Sequence, residues 1–215
     1  MKISSIIYGF LVIFSISIKA QMLKEKVSDL DGNEYSIVKI GNQVWMTEYL
    51  KTTRYRDGTS IANVSDVLAW TKISTGAYCN YYNKTDNVVN YGRLYNWYAV
   101  IDSRGICPAG WHVPTYSEWM TLDSCLKTNN DIMKLKGWWS YQLFGQSLLP
   151  IDYRNSNGKF QNENLLMQNN YGGWWTSTEF DFKNAWYYYV GFSSYFMIKD
   201  KTDKKCGYAV ICIKD

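Results

Sequence analysis

The sequence contains a single histidine, His112, and none of its five cysteines is arranged as Cys-x-x-Cys. One imidazole without paired cysteines cannot complete the usual Cys and His ligand set of a structural zinc site. The missing Cys-x-x-Cys also argues against dithiol redox chemistry. We therefore expect neither a metal ion nor a cofactor.

Common catalytic motifs are missing as well: Gly-x-Ser-x-Gly, His-Glu-x-x-His and a Gly-rich phosphate loop do not occur. His112 lies just before a predicted helix, where a hydrogen-bonded structural histidine is far commoner than a general base. Glycosidase-type carboxylate pairs remain open, because some acids could meet in space. The candidates are Asp152, Glu163, Glu179 and Asp181. Any chain with nineteen acids offers such pairs, so we expect a non-catalytic protein.

The first twenty residues have the pattern of a secretory signal peptide. Lys2 precedes an apolar run from Ile6 to Ile18, and Ala20 is a small residue suited to signal-peptidase cleavage. A transmembrane anchor is the weaker alternative, because the run is well short of the roughly 20 residues that span a bilayer. We predict a signal peptide over residues 1–20 and a mature chain over 21–215. That chain is exported to the periplasm, the cell surface or the medium, without membrane insertion.

The predicted mature chain has little net charge. Loss of Lys2 and Lys19 lowers the formal charge from +4 by two to +2. The nearest basic cluster, Lys199 to Lys205, is interrupted by Asp200 and Asp203, and we interpret it as a solvated turn. Nucleic acids and anionic membranes are bound by a basic face. We expect neither as a partner.

Local patterns predict one α+β domain in the mature chain. Thr115 and Glu118 form a capping box that starts a helix over about 115–126, and a shorter helical turn is predicted over 131–136. Gly41-Asn42 predicts a tight turn between two short strands. Further strands are predicted at Trp174 to Thr178, Ala185 to Phe192 and Tyr208 to Ile213, with a hairpin turn in Asp152 to Phe160.

Long motifs follow one another along the chain. They include Asp31 to Tyr35, Ile40 to Met46, Tyr91 to Val100, Cys107 to Thr115, Trp174 to Glu179 and Gly207 to Asp215. With them the chain resembles the Fibrobacter succinogenes major paralogous domain family over nearly its whole mature length. That family is similar to the C-type-lectin-like superfamily, which includes the formylglycine-generating enzymes. The resemblance implies an α+β, C-type-lectin-like domain, with short antiparallel strands around one main helix and long irregular loops.

The resemblance also implies that Cys107, before the helix, and Cys212, on the final strand, form a disulfide. Cys125 and Cys206 are a second, weaker pair, which would leave Cys79 free. The formylglycine-generating relatives use a reactive cysteine pair near the chain end. An implied disulfide at Cys212 argues against that chemistry here.

Ligand recognition is the remaining hypothesis. The tripeptides that bind calcium and sugar in C-type lectins, Glu-Pro-Asn, Gln-Pro-Asp and Trp-Asn-Asp, are absent, so we expect recognition without metal. Aromatic residues make up 17% of the chain, and aromatic rings either pack in cores or stack on sugars. Candidate ligand-binding residues in or beside the long-loop region are Trp138, Trp139, Tyr141, Tyr153, Arg154, Asn155 and Tyr171.

We therefore expect an exported surface or secreted module that binds a glycan or a cell-surface protein through these aromatics. The alternatives are a structural or adhesion protein of the cell envelope and, third, an extracellular enzyme. Trp45, Trp97, Trp111, Trp174, Trp175 and Trp186 belong to the shared motifs, and we interpret them mainly as packing residues.

Overall fold

A computed structural model describes residues 20–128, 151–161, 171–191 and 197–215, apart from the side chains of residues 128, 171 and 191. Its α-helices are α1 (Val67–Lys72), α2 (Val88–Tyr91), α3 (Trp97–Val100) and α4 (Tyr116–Thr128), and short 3-10 helices cover Tyr81–Asn83 and Thr85–Asn87. Its first strands are β1 (Ala20–Ser28), β2 (Glu34–Ile40), β3 (Gln43–Met46), β4 (Ala62–Asn63), β5 (Ala77–Asn80) and β6 (Arg93–Tyr95). The remaining strands are β7 (Trp111–His112), β8 (Tyr171–Glu179), β9 (Asn184–Gly191), β10 (Ile198–Asp203) and β11 (Ile213–Lys214).

These strands form three mostly antiparallel sheets. The first has the order β1-β2-β3-β11-β7, the second β10-β9-β8, and the third β4-β5-β6, in which only β4 and β5 run parallel. The predicted Gly41-Asn42 turn joins β2 to β3, with Ile40 opposite Gln43. Gly41 has a φ of 60°, which glycine adopts without a steric penalty. The predicted α+β class is confirmed.

Helix α4 confirms the predicted capping box. Thr115 Oγ1 accepts a hydrogen bond from the Glu118 amide, while the Glu118 carboxylate accepts one from the Thr115 amide at 2.7 Å. This exchange satisfies amides that a helix start leaves without intrahelical acceptors. Trp119 and Leu122 are fully buried, and the Trp119 ring stacks on Tyr188 of β9 at 5.5 Å. The helix therefore packs on the second sheet. The shorter helical turn predicted over 131–136 lies outside the described residues.

The strand predicted over Tyr208 to Ile213 is wrong in most of its length. Only Ile213–Lys214 forms a strand, whereas Tyr208 and Ala209 make isolated bridges to Tyr95 and Trp174. This segment runs between sheets and is buried throughout, so its peptide groups bond to several elements in turn. Its continuous apolar run, Tyr208 to Ile213, resembles a buried strand because burial on every side imposes apolar side chains.

The stretch from Lys199 to Lys205, which we interpreted from the sequence as a solvated turn, has a different structure. Residues 198–203 form β10, an outer strand of the second sheet, and only the residues after it turn. Lys204 is buried rather than solvated, because its side chain reaches under the β8–β9 hairpin.

The Cys107–Cys212 disulfide is present and joins two residues that are 105 positions apart in the sequence. The second pairing, Cys125 with Cys206, is wrong. Neighbouring residues on a strand point to opposite faces, and α4 packs on Tyr188 whereas the chain after Cys206 packs on Tyr187. The two cysteines thus lie on opposite faces of the second sheet. Cys206 is a buried thiol that accepts a hydrogen bond from Thr202.

No helix in the described ranges is long and apolar enough to cross a membrane. Of the predicted signal peptide, only Ala20 is described, and it pairs with Ile40 at the start of β1. Signal-peptide cleavage after Ala20 stays a prediction.

Replacing both disulfide cysteines, Cys107→Ser with Cys212→Ser, should lower the free energy of unfolding by about 4 to 5 kcal/mol. The bond closes a loop of 105 residues, and a loop of that length constrains the unfolded chain by about that much. Urea unfolding measures the change. Cys125→Ser, which removes no disulfide, is the control. If the free energy of unfolding of the double variant lies within about 1 kcal/mol of the wild-type value, the disulfide does not stabilise the fold as we expect.

Candidate functional site

The sequence-predicted ligand residues are not brought together as one described surface. Trp138, Trp139 and Tyr141 lie outside the described residues. Tyr171 begins β8, but its side chain is likewise outside them. The structure therefore describes the surroundings of only three of the seven: Tyr153, Arg154 and Asn155.

Arg154 is completely buried. Its guanidinium lies 4.5 Å from the Trp70 ring and 5.4 Å from the Phe160 ring. Its nitrogens donate to the carbonyl oxygens of Gly158, Val64, Ser65 and Asp66 at 2.6 to 3.2 Å. A guanidinium has five donors in a fixed fork, which suits a cluster of carbonyls. Arg154 thus ties the 152–160 hairpin to the loop before α1, and its guanidinium has no exposed face.

Asn155 and Tyr153 also contribute to local structure. The Asn155 side chain accepts hydrogen bonds from the amides of Asn157 and Lys159, which closes the hairpin turn predicted here. The Tyr153 ring stacks on buried Tyr208 with 4.7 Å between centroids. Only part of the Tyr153 ring is exposed, so this hairpin offers little aromatic surface.

Arg154→Ala should destabilise the protein by about 2 to 6 kcal/mol. The substitution leaves buried carbonyl oxygens without a donor, and each such oxygen costs about 1 to 3 kcal/mol. Loss of the donors to only two of the four carbonyls accounts for this range. Urea unfolding measures the loss, with the exposed Arg56→Ala as the matched control. Equal stabilities of the two variants would show that the buried network contributes nothing.

His112 bridges two carboxylates. Its Nδ1 lies 2.6 Å from Asp215 Oδ1 and its Nε2 lies 2.9 Å from Glu118 Oε1. Partial burial acts to lower the pKa of His112, but hydrogen bonds and charges from Asp215 and Glu118 outweigh it, so the pKa lies above its usual value. With both nitrogens engaged, the ring joins the chain end to the start of α4. This geometry is that of a structural clamp.

The His112 clamp predicts a pH-dependent stability. The folded pKa exceeds the unfolded value of about 6.5, so the contribution is complete below about pH 6.5 and is lost as pH rises through the folded pKa. Wild type should exceed His112→Gln in unfolding free energy by more at about pH 6 than at about pH 9. Urea unfolding over that range measures both proteins. A difference independent of pH would refute the ion-pair role.

Two of the four acids considered for catalysis, Glu179 and Asp181, have structural partners. Glu179 pairs with buried Lys204. Asp181 accepts hydrogen bonds from the Lys183 amide and from Asn184, whose side chain is the main cause of a lowered Asp181 pKa. Asp152 is buried, and Glu163 lies outside the described residues. Burial also raises the pKa of the Cys206 thiol to about 11, which leaves very little reactive thiolate near neutral pH.

A small cleft of about 140 Å³ lies beside the disulfide, with Arg54 and Arg56 on its wall. Arg54 is paired with Asp31 at 3.2 Å. Sites for small molecules usually measure about 300 to 1,000 Å³, so this cleft is too small for most organic ligands. Within the described ranges, no group of three or more His, Cys, Asp or Glu side chains is placed to hold a metal ion.

Exposed aromatic rings do gather on one face of the second sheet. Trp186 of β9 is partly exposed, and its ring centroid lies 4.9 Å from that of Tyr116 and 5.0 Å from that of Phe180. The ammonium groups of Lys199 and Lys201 lie 5.0 Å from the Tyr116 ring and 4.0 Å from the Phe180 ring. We call these five residues the aromatic-lysine face. It can stack on an apolar surface and attract negative charge.

The β8–β9 hairpin beside this face is held firmly. Lys204 Nζ bonds to Glu179 and donates to the Phe182 carbonyl at 3.1 Å, and it lies 4.7 Å from the Trp97 ring. Asp181 closes the turn. The Phe182 side chain projects from the tip with 91% of its surface exposed. A rigid hairpin presenting apolar surface is a feature that binding proteins use.

Sequence reasoning missed this face. Five of the six motif tryptophans are buried as expected, but Trp186 is partly exposed. The available signal was the sequence Phe180-Asp181-Phe182-Lys183-Asn184, since a turn rich in Asp and Asn that also carries two phenylalanines presents apolar groups to solvent. Residues from α4 and β10 complete the face, and no local pattern brings these elements to β9.

Comparison with protein families matches the chain to the Fibrobacter succinogenes major domain over residues 38–214. No curated protein and no solved structure matches the chain. The matched range includes the aromatic-lysine face, His112 with Glu118, and both disulfide cysteines, and it ends one residue before Asp215.

Proposed function

The chain belongs to the Fibrobacter succinogenes major domain family, and from that premise we propose an exported, non-catalytic binding module with a C-type-lectin-like fold. It recognises a glycan or a cell-surface protein through exposed aromatic side chains, without a metal ion. Export is supported by the signal-peptide pattern of residues 1–20. The lectin-like fold is supported by the family resemblance and by an α+β arrangement with one main helix.

The observation that carries this proposal is the position of Trp186. Its partly exposed ring stands between Tyr116 and Phe180 on a strand rather than on a long loop. Rings held on a sheet lose little conformational entropy when a ligand packs on them. A sugar ring or an apolar protein side chain finds a preformed stacking surface there.

The non-catalytic part of the proposal is supported by the partners of the reactive groups. Both nitrogens of His112 are engaged by carboxylates, and Glu179 is engaged by Lys204. A general base or acid must reach a substrate proton, directly or through one water. The His112 ring and the Glu179 carboxylate are bonded to other side chains of the protein, and we therefore interpret them as stabilising the fold.

A glycan array probed with residues 21–215 tests the function. We expect binding that survives a chelator and weakens by more than about tenfold in Trp186→Ala, because central aromatic anchors contribute most of the affinity. Leu68→Ala, which removes an exposed apolar side chain from α1, is the matched control. If binding is unchanged in Trp186→Ala but lost in the double variant Trp138→Ala, Tyr153→Ala, the binding site lies in the long-loop region instead. Failure to bind either glycans or cell-surface proteins would reject the function.

A structural or adhesion protein of the cell envelope is the second candidate. It is favoured by Phe182, whose exposed side chain projects from a rigid hairpin as an apolar contact would in an assembly. The distinguishing result is self-association without any glycan, lost in Phe182→Ser and kept in Leu68→Ala. Sedimentation over a range of protein concentrations measures it.

A further inference from the structure

The register of the second sheet puts two lysines on the same face as Trp186. Lys201 lies opposite Trp186 and Lys199 lies opposite Tyr188 in the β9–β10 ladder. Directly paired residues point to one face of a sheet. Asp200, between the two lysines, therefore points to the other face.

Neither lysine is neutralised by an ion pair in the described part of the chain. Lys199 donates to the Tyr116 hydroxyl, and Lys201 lies over the Phe180 ring. Two acids of neighbouring elements have other partners: Asp181 is bonded to Asn184, although its charge reaches Lys201, and Asp123 of α4 pairs with Lys127 at 2.6 Å. The face thus combines an aromatic centre with two exposed positive charges.

Each ammonium reaches an aromatic side chain that neighbours Trp186. Lys199 donates to the Tyr116 hydroxyl and Lys201 lies over the Phe180 ring, so the partly exposed Trp186 ring lies between these two contacts. The lysines are two residues apart on one strand, a spacing of about 7 Å. A ligand that fits has an apolar ring for Trp186 and acidic groups on both sides of it.

We propose that the ligand of the aromatic-lysine face is an acidic glycan, a sugar chain bearing carboxylates. A sugar ring stacks on Trp186 while its carboxylates bind Lys199 and Lys201. This inference rests on the proposed binding function and specifies its ligand class. A glycan is favoured over an acidic peptide because the centre of the face is a partly exposed tryptophan ring held on a sheet, which offers a flat apolar surface for a sugar ring.

The test compares one sugar backbone with and without charge. Oligogalacturonate and its fully methyl-esterified form are titrated against residues 21–215 by calorimetry at low and at moderate salt. We expect the acidic form to bind about 2- to 30-fold more tightly, as two exposed ion pairs allow, with the preference falling as salt rises. Poly-glutamate is the acidic peptide probe.

Variants locate the charge preference. Lys199→Gln with Lys201→Gln should equalise the two sugars, whereas Lys24→Gln with Lys39→Gln removes the same charge from the first sheet and should leave the preference intact. Trp186→Ala should weaken both sugars together. All these side chains are exposed or partly exposed, and circular dichroism confirms that each variant is folded.

The possible failures are distinguishable. Equal binding of the two sugars, with loss in Trp186→Ala, overturns the acidic-glycan inference while the binding function stands. Poly-glutamate binding that matches or exceeds that of the sugar overturns it in favour of an acidic peptide. If wild type binds neither sugar, and the glycan array and cell-surface proteins also give nothing, the proposed function itself is rejected.

Discussion

The rest of the structure depends on one buried segment, residues 206–213, which runs between all three sheets. Gly207 bridges to Arg154, Tyr208 to Tyr95 of β6 and Ala209 to Trp174 of β8, and Ile213 pairs with both β3 and β7. A buried peptide group without a partner is costly, so each neighbour must supply donors and acceptors at the right place. The segment can occupy this position only when the three sheets are assembled around it.

The ends of this segment are secured by different interactions. The Cys107–Cys212 disulfide links it to the chain before α4, and Asp215 binds His112 just beyond it. At its start, Lys204 reaches under the β8–β9 hairpin, where its ammonium bonds to Glu179 and to the Phe182 carbonyl. A buried ammonium is stable only with such partners. The position of the hairpin, and hence of the aromatic-lysine face, therefore follows from the buried segment.

Much of the local structure could be predicted from the sequence. The Gly41 turn, the Thr115–Glu118 capping box and the 152–160 hairpin each depend on residues close together in the chain, so their signals are local. The predictions failed where partners are distant. Arg154 resembled a surface ligand group because arginine is usually exposed, yet carbonyls near residue 65 bury it.

The sequence by itself determined the α+β class and the family, because these follow from local patterns and from long ordered motifs, and the family resemblance in turn implied the Cys107–Cys212 pairing. Only the tertiary structure decided which aromatics are exposed. Trp186 and buried Trp175 occur in similar aromatic, strand-forming surroundings, and their exposure depends on what covers each sheet face. The Trp175 ring meets Tyr208 of the buried segment, whereas Trp186 points away from that segment towards solvent, Tyr116 and the lysines of β10.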